Sequence, residues 1–113
     1  MLGPGECLVD DIEVFRQGGT NLLTNGGFET GTGTTATGWS FFGNHSTSQV
    51  ETNGAFSGGR CLRVRGQGDG DTGVNSIRVP LLTGLTANQN ATIKAAVRWQ
   101  AGWPEVLDRK SVV

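Results

Sequence analysis

The chain has 113 residues, enough for one small domain, and it carries 19 Gly, 13 Thr, 7 Asn and 6 Ser, a composition that excludes a helical protein. Seven Arg and two Lys stand against five Asp and five Glu, for a net charge of -1, so the chain lacks the basic field that nucleic-acid or anionic-membrane binding needs. The longest charge-free run, Thr30 to Val50, is built of Gly and Thr rather than apolar side chains, so it cannot cross a bilayer as a helix.

In chain order, Cys7 to Phe15 alternates with period two and predicts a half-buried strand, with Leu8, Asp10, Ile12 and Val14 on one face. Asn21 to Thr24, Trp39 to Phe42 and Thr47 to Glu51 are shorter, less regular strand segments. Arg60 to Arg65 places Leu62 and Val64 together, Ile77, Val79 and Leu81 alternate after Ser76, and Ile93, Ala95, Val97 and Trp99 alternate between Thr92 and Arg98. No stretch of ten residues carries a helical stripe, and glycine-rich turns separate the segments at Gly26-Gly27, Gly31 to Gly38, Gly58-Gly59 and Gly66 to Gly73. Seven short strands with turns between them predict an all-β protein, a β-sandwich or jelly roll. The 35% hydrophobic content predicts a lean core.

Asn21-Leu-Leu-Thr-Asn-Gly-Gly-Phe-Glu29, followed by Gly38-Trp39-Ser40, resembles the opening of carbohydrate-binding modules of the family 4, 9, 16 and 22 type. Ala55 to Val64 and Leu85 to Arg98 fit two later stretches of the same pattern in the same order. The resemblance implies a galactose-binding-like jelly roll of a larger secreted protein, usually one carrying a glycoside hydrolase domain. It implies a polysaccharide or oligosaccharide partner, neighbouring modules in the same chain, and no catalysis by the module itself. The opening residues show neither a basic nor an apolar leader segment. Such families usually close with a strand carrying Asp-Asp and an aliphatic residue, and Leu8-Val-Asp-Asp-Ile-Glu-Val14 has that look ahead of the module's opening. Residues 1–16 are therefore expected to end a preceding similar module or, as a permutation, to fill the closing position of this one. Residues 17–20 read as a linker and 21–107 as an incomplete module. Asp108-Arg-Lys-Ser-Val-Val113 is the translation of a common sequencing-adapter read and is expected to be foreign to the gene.

The candidate chemistry follows from these readings. Asp10 shares alternation parity with Leu8, so its carboxylate points to the apolar side and needs a cation or strong donors. The resemblance implies a structural Ca²⁺ held by Asp10, Gly27 or Glu29, and the turn Ser57 to Gly59 with Gly58 at its centre; oxygen ligands suit that cation. It also implies a disulfide between Cys7 and Cys61, whose alternative is a pair of free thiols. For sugar binding, aromatics that stack on C–H faces are sought among those the core does not need: Phe42, opposite in parity to Phe41, and Trp103, in a Gly-Trp-Pro turn, with Asn44, Arg98 and Gln100 as polar partners. Phe28, Trp39 and Trp99 are expected in the core.

Several other patterns carry no function. The Gly68 to Gly73 run has the spacing of a nucleotide loop, but Asp69 and Asp71 would repel phosphate and no helix follows. His45 beside Ser46 cannot form a nucleophile-base pair across space and reads as a loop residue. No two carboxylates among Glu29, Glu51, Asp10 and Asp11 are singled out as a hydrolytic pair. Without sugar binding, the same fold would serve as a structural or adhesive spacer.

Overall fold

A computed structural model describes residues 4–68 and 75–102. The described chain is almost wholly β: β1 (Gly5–Arg16), β2 (Ser40–Phe42), β3 (Gln49–Glu51), β4 (Cys61–Gly66), β5 (Ser76–Arg78) and β6 (Ala91–Ala101), with one short 3-10 turn at Gly43–His45. β3, β4, β1 and β6 form an antiparallel sheet in that order, and β2 pairs with β5 in a second. The first strand thus lies between β4 and β6. Asn21 to Thr24 forms no strand; Asn21 and Leu23 make isolated bridges to Phe15 and Leu81.

Between the sheets sits a small core of Phe28, Ala36, Val50 and Leu62, with Ile12, Trp39, Phe41, Val64 and Ile77 packed against it. The alternation of β4 and β3 predicts this, since Val50 faces Leu62 across the ladder. Phe28 is fully buried, and its ring centre lies 4.9 Å from that of Trp39 in a tilted pair. The Trp39 indole N–H donates to the Asn25 carbonyl at 2.9 Å, which satisfies the polar end of a half-buried ring. Trp99, expected in the core, is only half-buried on β6, and its indole N–H donates to the Gly102 carbonyl.

β1 departs from the simple alternation. Asp10 faces Ala96 while Glu13 faces Lys94, so β1 carries one extra residue there, a bulge with Asp11 at φ 48°. An extra residue reverses the parity beyond it. Leu8 and Asp10 therefore share the outer face with Glu13 and Phe15, whereas Val14 joins Cys7 and Val9 on the inner face, which corrects the single apolar face expected for Leu8, Asp10, Ile12 and Val14. The Gly26-Gly27 turn fits against the bulge, where the Ile12 N–H donates to the Gly26 carbonyl at 3.0 Å. A side chain on Gly26 would collide with the Ile12 carbonyl oxygen, so glycine at this turn is a requirement of close backbone approach.

Candidate functional site

The outer face of the four-stranded sheet is half covered by the loop between β3 and β4. Asp10 anchors this loop. Its Oδ2 accepts the backbone N–H groups of Phe56 at 2.9 Å and Ser57 at 3.1 Å, and its Oδ1 accepts that of Asp11 at 2.8 Å. The carboxylate is only 2% exposed, and three donors from the chain itself offset its desolvation, the second of the two solutions a buried carboxylate has. Asp11 Oδ2 accepts the Ser57 hydroxyl at 2.6 Å. Glu29 Oε1 accepts the Gly59 and Arg60 N–H groups, both at 3.0 Å. Gly58, at φ 64°, has no room for a side chain because the Glu29 carboxylate lies against it.

Asp10, Gly27, Glu29 and the turn Ser57 to Gly59 are thus brought together beside the β1 bulge. Gly27 sits between carboxylates: a Cβ there would lie 3.4 Å from Asp11 Oδ1 and 4.0 Å from Asp10 Oδ1. The carboxylate oxygens with most lone pairs left are Asp11 Oδ1 and Glu29 Oε2, and Asp11, Gly27 and Glu29 line one shallow concavity.

Beside the anchored loop lies a larger concavity of about 590 Å³, open to solvent, with Leu8, Ala96, Phe56, Asp10, Lys94 and Arg98 among its walls. Phe56 is 74% exposed: its backbone is held by Asp10 while its ring is left uncovered. Lys94 stands 5.4 Å over the Phe15 ring. On the neighbouring strands of the same face, Glu6 pairs with Arg65 at 2.6 Å and with Arg63 at 3.2 Å, and Arg63 donates from Nη2 to Glu51 Oε1 at 3.0 Å.

Of the residues sought for sugar contact, Arg98 lines this concavity, and Phe42, Asn44 and Gln100 do not. Phe42 is 40% exposed, as the alternation predicts, but the Arg78 guanidinium covers its ring at 5.2 Å. Asn44 is committed internally, its Nδ2 donating to the Gly68 carbonyl at 2.8 Å and its backbone N–H to Asn75 Oδ1. Gln100 is exposed on β6, and Trp103, Asp69, Asp71 and the residues from Asp108 onward lie outside the described residues. His45 holds the Arg65 carbonyl through Nδ1 at 3.0 Å, a structural contact.

Phe56 escapes strand-based reasoning because it belongs to no alternating segment. No local signal marks its exposure: Phe28, in the equally glycine-rich Asn25-Gly-Gly-Phe-Glu29, is fully buried.

The proposed disulfide is corrected. Cys7 and Cys61 are both free and buried. Cys7 faces Val64 across the β1–β4 ladder, three positions from Cys61, so the thiols project to opposite faces of the sheet, beyond the reach of an S–S bond. Burial pushes both thiols up in pKa; for Cys61 the nearby Glu51 and Asp10 charges add to it.

No family model, curated protein or solved structure matches this chain.

Proposed function

We propose that the chain is a non-catalytic carbohydrate-binding module, a jelly-roll variant of the two-sheet architecture, from a larger secreted protein that acts on polysaccharide. The observation that carries the reading is Phe56, which is 74% exposed and lines an open concavity while its backbone N–H is held by the buried Asp10 carboxylate. A pyranose presents an apolar C–H face, and a flat exposed ring on an anchored backbone can stack on it. Arg98 and Lys94, which line the same concavity, supply donors for hydroxyl oxygens. Glu51 is tied to Arg63, Glu29 to two N–H groups and Asp10 to three, so these carboxylates serve the fold, while Asp11 and Glu13 also line the concavity.

Burying one aromatic face contributes about 1.5–3 kcal/mol, so affinity falls in the micromolar to millimolar range, about -8 to -4 kcal/mol. Affinity electrophoresis in soluble glucans, xylans and galactans, with pull-down on insoluble polysaccharides, tests it. Phe56→Ala should weaken retention about ten- to hundredfold, whereas Phe42→Ala should leave it unchanged. Retention on no glycan would favour the spacer reading.

The same reading includes a structural Ca²⁺ beside Gly27 and the β1 bulge. Asp10 does not require it, being satisfied by N–H groups. Asp11 and Glu29 would hold it with their remaining oxygens, tightening the bulge against the Ser57 turn.

A further inference from the structure

The inner face of β6 carries Ala91, Ile93, Ala95, Val97 and Trp99, set against Arg16, Val14, Val9 and Cys7 of β1. These side chains point to the side on which the core lies, yet the core cluster and the side chains packed on it include no residue of β6. Ile93 is 73% exposed and Val97 57%. Among the described residues β6 is also the outermost strand of its sheet, 11 residues long and without proline. Such an edge presents a row of backbone donors and acceptors to any strand of matching pattern.

We propose that two copies of this chain pair antiparallel through β6, with a two-fold axis at Ala95, joining their sheets into one. The sequence of β6 is self-complementary about that residue. Ile93 lies opposite the partner's Val97, Ala91 opposite the partner's Trp99, Lys94 opposite the partner's Ala96, and Thr92 opposite the partner's Arg98. Directly opposed apolar residues stabilise a strand pair and like charges destabilise it. Shifting the axis by one residue is therefore disfavoured: at Ala96 it sets Lys94 against the partner's Arg98, and at Lys94 it sets two ammonium groups together. A further limit comes from β1. Its register with β6 is regular from Arg16↔Ala91 to Cys7↔Trp99, apart from the bulge on β1 itself, and slips at Glu6↔Ala101. Ala95 is the midpoint of the regular span of β6, so this axis gives the longest undistorted overlap. A closed, isologous dimer also uses both copies' β6 edges, leaving, among the described residues, only the short β3 at each end of the joined sheet.

β6 also lines the concavity beside the Phe56 loop, so the test uses the whole chain without ligand. Sedimentation equilibrium should show a reversible monomer–dimer exchange at micromolar to sub-millimolar concentration. Ala95→Lys alters an exposed residue and sets two ammonium groups together on the axis, so it should weaken association at least about tenfold. Ala95→Cys gives a register-specific readout that does not depend on the stability of the lysine variant. Opposed residues of an antiparallel pair have Cα atoms about 4.5–5.5 Å apart, within the span of a disulfide, so mild oxidation should yield a covalent dimer. Ala96→Cys, displaced by two positions, lies beyond about 7 Å from its counterpart and should not. A chain that stays monomeric, a dimer that tolerates Ala95→Lys, or equal cross-linking by both cysteine variants would overturn the proposal.

Discussion

Asp10 and Ser57, 47 positions apart in the chain, are joined by a 3.1 Å bond from the serine N–H to a carboxylate that is almost completely buried. The same oxygen takes the Phe56 N–H, and the other takes the Asp11 N–H. One side chain thereby ties the β1 bulge to the loop that presents Phe56.

Asp10→Asn keeps the shape of this side chain but turns one acceptor into a donor facing N–H groups. A buried donor left without an acceptor costs about 1–3 kcal/mol, which urea unfolding would register as a lower midpoint. Asp11→Asn, which weakens only the bond to the Ser57 hydroxyl, should cost less than about 1 kcal/mol. Equal losses in the two variants would mean that the loop is anchored elsewhere.

Acid should weaken the outer-face ion pairs in a defined window. The hydrogen bond from Arg65 holds the Glu6 carboxyl below its ordinary value of 4.5, with the Arg65 and Arg63 charges adding to it against a desolvation that opposes them. A carboxylate whose folded pKa is depressed contributes stability above the unfolded value and loses it as pH falls through the folded one. The urea midpoint should therefore hold above pH 4.5 and decline below it. Glu6→Gln should flatten part of that decline, and added salt should shrink the difference between the two proteins.

The two thiols should resist modification until the chain unfolds. Burial raises the pKa of both Cys7 and Cys61, and the thiolate is the reactive form. Iodoacetamide should label neither quickly in native buffer and both in denaturant. Mass spectrometry after mild oxidation of the native chain should find no internal disulfide; a mass lower by two hydrogens would require a register other than Cys7↔Val64.

Calcium is checked by thermal unfolding of the whole chain in excess Ca²⁺ and in EDTA. A ligand bound only by the folded state stabilises by mass action, about 2.7 kcal/mol at a hundredfold excess over Kd, or several degrees for a domain of this size. Glu29→Gln should reduce the shift. Superimposable melting curves would remove calcium from the β1 bulge.

Much of the fold was legible locally. The alternation of Arg60 to Arg65 and of Thr92 to Trp99 predicts β4 and β6 and the inward faces of Leu62 and Val64. Asn21 to Thr24 looked like a strand of the same kind, but Asn21 Oδ1 accepts the Val14 and Leu23 N–H groups at 3.0 and 3.1 Å. A side chain that takes over the role of a ladder carbonyl replaces strand pairing with a capped corner. In the candidate site, Asp10, Gly27, Glu29 and the Ser57 turn, the set the resemblance implies, lie together, whereas the exposure of Phe56 depends on what folds above its loop.

What the sequence by itself determined is the class of structure: period-two patterning and glycine turns permit strands and little else, since both are properties of neighbouring residues. Which face of β1 turns inward was decided by the tertiary structure. A single extra residue between Asp10 and Glu13 reverses the strand, and nothing within Cys7 to Phe15 marks it. The bulge is held by partners remote in the chain, the Gly26 carbonyl on the Ile12 N–H and the Phe56 and Ser57 N–H groups on Asp10. The free energy that selects it resides in contacts that exist only once those segments have met.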